Sequence, residues 1–205
     1  MDADKKREYV IFGAGGHATV VADILLQSGC IVKGFLDDAI PIGTKVLESV
    51  VIGKTENCVD YPECLFLIGI GDNAIRKRIA QVYPVEYGVA IHPAAVVGRQ
   101  VNIGVGSILM AGCIVNTGTV IGEHCIINTS SSIDHDNKIG DIAHISPGAV
   151  LGGTVVVGSG VHIGLGACIK NNITVCNDAV VGVGAVVVKD IMESGVYTGI
   201  PAKRI

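Results

Sequence analysis

Six histidines punctuate the chain, His17, His92, His124, His135, His144 and His162, and only His135 has a carboxylate on each side, Asp134 and Asp136. An imidazole exchanges a proton near neutral pH, and a base of this kind needs a nearby acid to fix its tautomer and stabilise the imidazolium that forms. The Asp134-His135-Asp136 triplet therefore reads either as a general base with an orienting partner or as a solvent-facing turn without chemistry. A second signal lies near the start. Gly13-Ala14-Gly15-Gly16-His17-Ala18 fits G-x-G-x-x-A, the loop that sets backbone N–H groups at a helix N-terminus where phosphate is welcome. A glycine turn that merely lets a helix pack on a strand has the same letters.

A repeat positions the triplet. From Val97 to Val187 every sixth residue is aliphatic, through sixteen sextets without an insertion, and the residue after it is most often Gly and otherwise usually Asn, Asp or Ser. A recurring aliphatic followed by a turn-tolerant residue describes a short strand that bends, buries one side chain and bends again. Six residues cannot close a core alone, so the sextets must wind into coils that stack as a parallel β-helix. His135 falls two places after the inward Ile133, at an outward corner. Asp134 occupies the bend and Asp136 leaves the corner beside the ring, which makes Asp136 the better orienting partner. Such repeats have no packing use for imidazole, so their histidines are expected on the outer surface or in a cleft.

Ahead of the repeats the periodicity changes. Tyr9–Phe12 reads as a buried strand, the glycine loop follows, and Val20, Val21, Ile24 and Leu25 stand at helical spacing up to Gly29. A second strand, Ile31–Leu36, ends at Asp37-Asp38, and a third, Leu65–Ile70, leads into Gly71-Asp72-Asn73. Ala74–Val82 looks helical with Arg76, Lys77 and Arg78 exposed. Strand, glycine loop and helix open a Rossmann-like α/β unit, yet only about eighty residues precede the repeats, half a usual dinucleotide domain. The expected fold is thus a small Rossmann-like α/β domain over residues 1–88 followed by a β-helix over 89–205, with Pro93 marking entry to the coil.

Composition narrows the function classes. Aromatic residues make up 4% of the chain, Trp is absent and there are 28 glycines, as suits a narrow aliphatic interior. A formal net charge of −4 without a Lys/Arg run argues against nucleic acid as a partner. No apolar run approaches the roughly 20 residues of a membrane span, and a cytoplasmic location is expected. Seven cysteines without a Cys-x-x-Cys pair read as small buried thiols rather than a metal or redox set.

The chain resembles the sialic acid O-acetyltransferase family of hexapeptide-repeat acyltransferases, and within it the bacterial N-acetyltransferases of nucleotide-linked 4-amino-4,6-dideoxy sugars. The resemblance rests on Phe12-Gly13-Ala14-Gly15-Gly16-His17, Phe35-Leu36-Asp37-Asp38, Gly71-Asp72-Asn73-Ala74-Ile75-Arg76-Lys77, Asn128-Thr129-Ser130-Ser131 through His135, and the closing Gly199-Ile200-Pro201-Ala202-Lys203-Arg204. It implies a left-handed β-helix of triangular section with three sextets per coil, so residues eighteen apart stack at roughly 4.8 Å. On that register Thr117 lies below His135 and Gly153 above it, and His144 stacks on His162.

The resemblance also implies roles. His135 would be the catalytic base, Asp136 its orienter, and the Gly153 N–H the donor to the thioester oxygen. Acetyl-CoA, the co-substrate, would meet Asn128, His144, Gly153, the main-chain amides of Gly164 and Gly182, and Pro201, with Lys203 and Arg204 toward its phosphates. The nucleotide-linked amino sugar would lie along Gly13, Gly15, Gly16 and His17, with Asp37 and Asp38 near the nucleoside and Gly71, Asn73 and Arg76 on the opposite wall. A homotrimer without a metal, serving bacterial surface glycan synthesis, is implied too.

Two rivals belong to other classes. A γ-type carbonic anhydrase shares the β-helix but wants two histidine ligands five apart, and the intervals from His124 onward are eleven, nine and eighteen. A non-catalytic nucleotide-sugar binder would keep the fold and lose the reaction, and the presence of His135 with Asp136 argues against it.

Overall fold

A computed structural model describes residues 7–205. It divides into two compact units, the first ending at Pro93 and the second spanning Ala94–Ile205. In the first, β1 (Glu8–Phe12) lies between β2 (Ile31–Leu36) and the edge strand β5 (Leu65–Ile68), both parallel to it. The hairpin of β3 (Lys45–Val46) and β4 (Ser49–Gly53) extends the sheet beyond β2, with β4 parallel to β2. This hairpin and the 3₁₀ turn Thr55–Asp60 after it have no counterpart in the sequence reading. The two residues of β3 carry too little alternation to be read from a pattern, and the apolar run of β4 is too short to mark a strand without it.

Helix α1 (Gly16–Gln27) starts on the glycine loop itself, and α2 (Asn73–Val82) starts where Asp72 Oδ1 accepts the Ile75 N–H at 2.9 Å. Val10, Phe12, Leu36, Phe66 and Ile68 form a core with Ile79 of α2 and Cys58 of the 3₁₀ turn. The third strand stops at Ile68, two residues short of expectation. Arg76 is a correction: it was expected exposed with Lys77 and Arg78, and it is wholly buried beneath the turn before α2.

The second unit is a three-walled prism. One wall stacks Val96–Val97, Ile114–Val115, Ser132–Ile133, Val150–Leu151, Cys168–Ile169 and Val186–Val187, all parallel and in register eighteen residues apart. The next runs from Asn102–Ile103 to Thr174–Val175, and the third from Ile108–Leu109 to Val180–Val181. The sextet aliphatics from Leu109 to Val187 are buried and meet along the axis. Val97 is 37% exposed because it belongs to the first coil. Each two-residue strand is too short to hold alone, and the ladder between coils supplies the cooperativity.

The chain closes with Val196–Thr198 parallel to Val180–Val181 and with Lys203–Arg204 folded back antiparallel on it. Four cysteines are buried, and burial pushes the Cys113 thiol up to about 11. Cys168 departs from the expectation and is exposed. Among the described residues no helix is long and apolar enough to cross a membrane.

Candidate active site

His135 stands at the corner between the first two walls, with about half of its side chain in solvent. Its Nδ1 is 2.8 Å from Asp136 Oδ2, and its backbone N–H donates to Asp134 Oδ1 at 2.8 Å. Asp134 also accepts from Asn116 Nδ2, and the His135 N–H followed by this bond holds its carboxyl below the usual range. With Asp136 accepting at Nδ1, the proton of the neutral ring sits there and the Nε2 lone pair is free to take another. The Asp136 hydrogen bond, then the charge of Asp134, raises the imidazole pKa above its ordinary value.

Gly153 lies on the rung above, as the register requires. Thr154 N donates to His135 O at 2.9 Å, and a Cβ on Gly153 would come within 2.7 Å of His135 Nε2. Only a residue without a side chain leaves the ring in place. Among the described residues the Gly153 N–H reaches no protein acceptor. A basic nitrogen and a bare amide donor one rung apart are what acyl transfer asks of a site.

Asn128 and His144 lie on the third wall. Asn128 Oδ1 accepts the Thr129 N–H at 2.8 Å, which turns Nδ2 toward His144 Nε2 at 3.0 Å. His144 therefore accepts at Nε2 and carries its proton on Nδ1. Its ring stacks on His162, centroids 4.8 Å apart and planes 2° from parallel, and His162 Nε2 meets Ser146 Oγ at 2.9 Å. His144 and His124 are nearly buried, so the sextets do find packing use for imidazole.

The coenzyme residues need correction. Gly164 N donates to Val181 O and Gly182 N to Tyr197 O, both at 2.7 Å, so neither amide is available. On most coils the first residue past the inward aliphatic donates along the ladder, while the N–H of the second is either taken by a side chain, as at Glu123, Thr129, His135 and Ser159, or makes no protein bond. The next amides along, of Leu165 and Val183, make no such bond, and these two residues are 52% and 74% exposed. Arg204 is engaged as well: Nη1 meets Glu193 Oε2 at 2.8 Å and Nη2 the Ser194 carbonyl at 2.9 Å. Pro201, behind a cis peptide bond, and Lys203 are exposed on the same turn.

The first unit holds a cleft of about 410 Å³ at the carboxyl ends of β1 and β2, where parallel sheets take ligands. Gly13, Asp37 and Asp38 line it, and so do Thr55, Arg78 and Tyr83, which no motif marks. Gly13 has φ 89°, so the turn into α1 favours glycine. Asp37 acts as a clamp, Oδ2 accepting from Ala14 N at 2.8 Å and Oδ1 from Ala39 N and Ile40 N at 2.9 Å. Asp38 accepts from the Thr55 hydroxyl at 2.7 Å and from its N–H at 3.0 Å, and these bonds lower its pKa.

Gly15, Gly16, His17, Gly71, Asn73 and Arg76 do not line that cleft. Gly15 gives α1 no side-chain cap, so the first amides of the helix stay open. Arg76 binds the carbonyls of Ile70 and Gly71 and Asn73 Oδ1, which ties these expected site residues into one turn. His17 Nε2 is buried and meets no partner; burial, then the nearby Arg76 charge, brings this imidazole down to about 4. The one grouping of potential metal donors among the described residues, Glu8, Glu63 and Cys64, is served by Lys33, whose Nζ bonds both carboxylates.

Residues 8–83 match the model of the PglD N-terminal domain. The acetyltransferase domain of PglB from Neisseria gonorrhoeae FA1090 is 36% identical over 98% of this chain and 100% of that one, with a TM-score of 0.91. The chain belongs to the hexapeptide-repeat sugar acetyltransferase family. Like other folds of this family, its prism is a left-handed β-helix.

Within the family, PerB from Caulobacter crescentus is 35% identical over 99% of this chain and 98% of its own, with a TM-score of 0.90, and was solved with CoA and GDP-perosamine. The PglB domain was also solved with acetyl coenzyme A. A UDP-N-acetylbacillosamine N-acetyltransferase of Bacillus subtilis (strain 168) is 34% identical over 112 residues, and the match spans about half, 52%, of that relative.

Proposed function

We propose that this protein is an acetyl-CoA-dependent N-acetyltransferase acting on the 4-amino group of a nucleotide-linked 4-amino-4,6-dideoxy sugar. The observation that carries the reading is the free Gly153 N–H one rung above His135 Nε2. The neutral amine attacks the thioester carbonyl carbon, and His135 Nε2 takes the proton the nitrogen loses. The Gly153 N–H holds the oxyanion of the tetrahedral intermediate. The C–S bond then breaks, and the thiolate of CoA collects the proton from the imidazolium. No covalent enzyme intermediate is needed, and no cysteine lies in the column Thr117, His135, Gly153, Asn171.

The division of labour follows the two units. The cleft at Gly13, Asp38 and Thr55 suits the nucleoside, and the uncapped start of α1 suits a diphosphate. Asn128, beside the nearly buried His144, and the amides of Leu165 and Val183 suit acetyl-CoA, whose thioester and pantetheine amides offer carbonyls to N–H donors. Lys203, exposed on the tail, suits its phosphates. A trimer is supported by the first wall, where the residues before the inward aliphatics, Val96, Ile114, Ser132, Val150, Cys168 and Val186, are uncharged and Val96, Ile114 and Val150 are 58%, 37% and 44% exposed. A cytoplasmic enzyme feeding bacterial surface glycan synthesis is the setting that acetyl-CoA and a sugar nucleotide imply.

The test is CoA release with acetyl-CoA and UDP-, dTDP- and GDP-linked 4-amino sugars, beside their 4-hydroxy counterparts and free sialic acid. Turnover with an amino sugar and none with the hydroxy analogues is expected. Turnover with sialic acid or another hydroxyl would make the protein a sugar O-acetyltransferase, and none with any acceptor would make it a binding protein.

A further inference from the structure

The interior of the prism is aliphatic or small at nearly every position, but not beneath His135. The inward corner column there reads Val101, Thr119, Asn137, Val155, Ile173, and Asn137 is wholly buried. Its Nδ2 donates to Asp134 O at 2.7 Å, His135 O at 3.2 Å and Gly152 O at 3.0 Å, while its Oδ1 accepts Val155 N at 3.2 Å. The first two carbonyls belong to the rung of the base. Gly152 and Val155 belong to the next rung, which carries Gly153. One side-chain amide thus fastens the two rungs together at this corner.

Burying an amide is costly unless every bond it can make is made. Val101, Val155 and Ile173 occupy the same place on other coils, so the fold closes this corner without an amide. Ladder bonds such as Thr154 N to His135 O fix how far apart the rungs lie, but leave each corner peptide free to tilt. The Asn137 bonds remove that freedom from the peptides before and after His135 and from the peptide that ends in the Gly153 N–H. We propose that Asn137 is a positioning residue that sets the Gly153 donor against the Nε2 of His135. The inference rests on the acyl-transfer reading above.

Asn137→Val tests it, because the rung above already carries Val155 at that place. The expected result is a kcat about 10- to 100-fold lower, with both KM values and the acid limb of the pH profile unchanged, since the Asp136–His135 pair is untouched. Asn137→Thr, templated by Thr119 one rung below, keeps a hydroxyl donor and should lose less. Ser107→Ala is the matched control. Ser107 is also wholly buried and joins rungs at another corner, donating to Gly122 O at 2.8 Å and accepting from Cys125 N at 2.9 Å. It should cost stability without lowering kcat. Unchanged kcat in both Asn137 variants, a loss confined to KM, or an equal fall in Ser107→Ala would overturn the proposal. If the unaltered protein turns over no acceptor, the acyl-transfer reading fails, and a crystal structure of Asn137→Val still decides: a tilted Gly152–Gly153 peptide supports the inference and an unmoved one ends it.

Discussion

Asp136 Oδ2 reaches His135 Nδ1 at 2.8 Å from a backbone in the left-handed region, φ 58°. A neighbour in the chain cannot ordinarily turn its carboxylate back onto the preceding ring, and the left-handed turn is what brings it there. Asp tolerates that conformation better than most residues, because its short polar side chain bonds locally. The pairing favours the imidazolium and raises its pKa above the ordinary 6.5.

The sign of the pH effect follows. A base must be neutral to act, so kcat/KM should rise with pH through the raised pKa of His135 and level above it. Asp136→Asn removes the carboxylate hydrogen bond that does most to raise it while the charge of Asp134 remains, and the acid limb should move to lower pH while the plateau falls because the tautomer is no longer fixed. Rate profiles of the two proteins over pH 5 to 9 check this, and an acid limb that stays in place would show that His135 is not the titrating base.

His135→Ala should lower kcat by about 10²- to 10⁴-fold, the contribution of a positioned base. Binding of acetyl-CoA and of the sugar nucleotide, measured by calorimetry, should persist because the ring is half exposed and supports no core contact. A variant that keeps its rate would remove the assignment.

Gly153→Ala keeps the N–H but adds a Cβ that would lie 2.7 Å from His135 Nε2. The ring must swing off Asp136, and a displacement near 1 Å at a reacting atom costs roughly 10²-fold in rate. Gly148→Ala is the comparison, since its Cβ would meet nothing within 4 Å, and although its φ of 68° also strains alanine it should lose stability only. Equal rates in the two variants would show that contact with the ring is irrelevant.

The sequence made the prism legible because an unbroken period of six fixes which residue of each sextet faces inward, and the three sextets per coil that the family resemblance implies then placed Gly153 over His135 and His144 on His162. It could not show which amides face outward: Gly164 and Gly182 stood out as glycines, yet the ladder takes their N–H groups and leaves those of Leu165 and Val183. Asp37 looked like a ligand residue and proved to be a clamp, because three backbone donors converge on it through a turn that no pattern announces. Arg76 sat in a row of cations and was read as exposed, although its helical position points it under the preceding turn. Asn137 could have been noticed as the one amide in an aliphatic column. Thr55 and Tyr83 had no signal, since long-range packing alone brings them to the cleft.

His17 yields the last prediction. Its imidazole is brought down to about 4 by burial and then by Arg76, whereas in the unfolded chain it titrates at the ordinary 6.5. Between those values the unfolded state holds a proton that the folded state excludes, so stability is fully present above pH 6.5 and is lost as pH falls toward 4. The linkage is worth roughly 3 kcal/mol across that window. His17→Asn cannot take up the proton, and its urea midpoint should vary less between pH 4 and 6.5 than that of the unaltered protein. Parallel curves for the two proteins would mean that the buried ring is not what makes folding sensitive to acid.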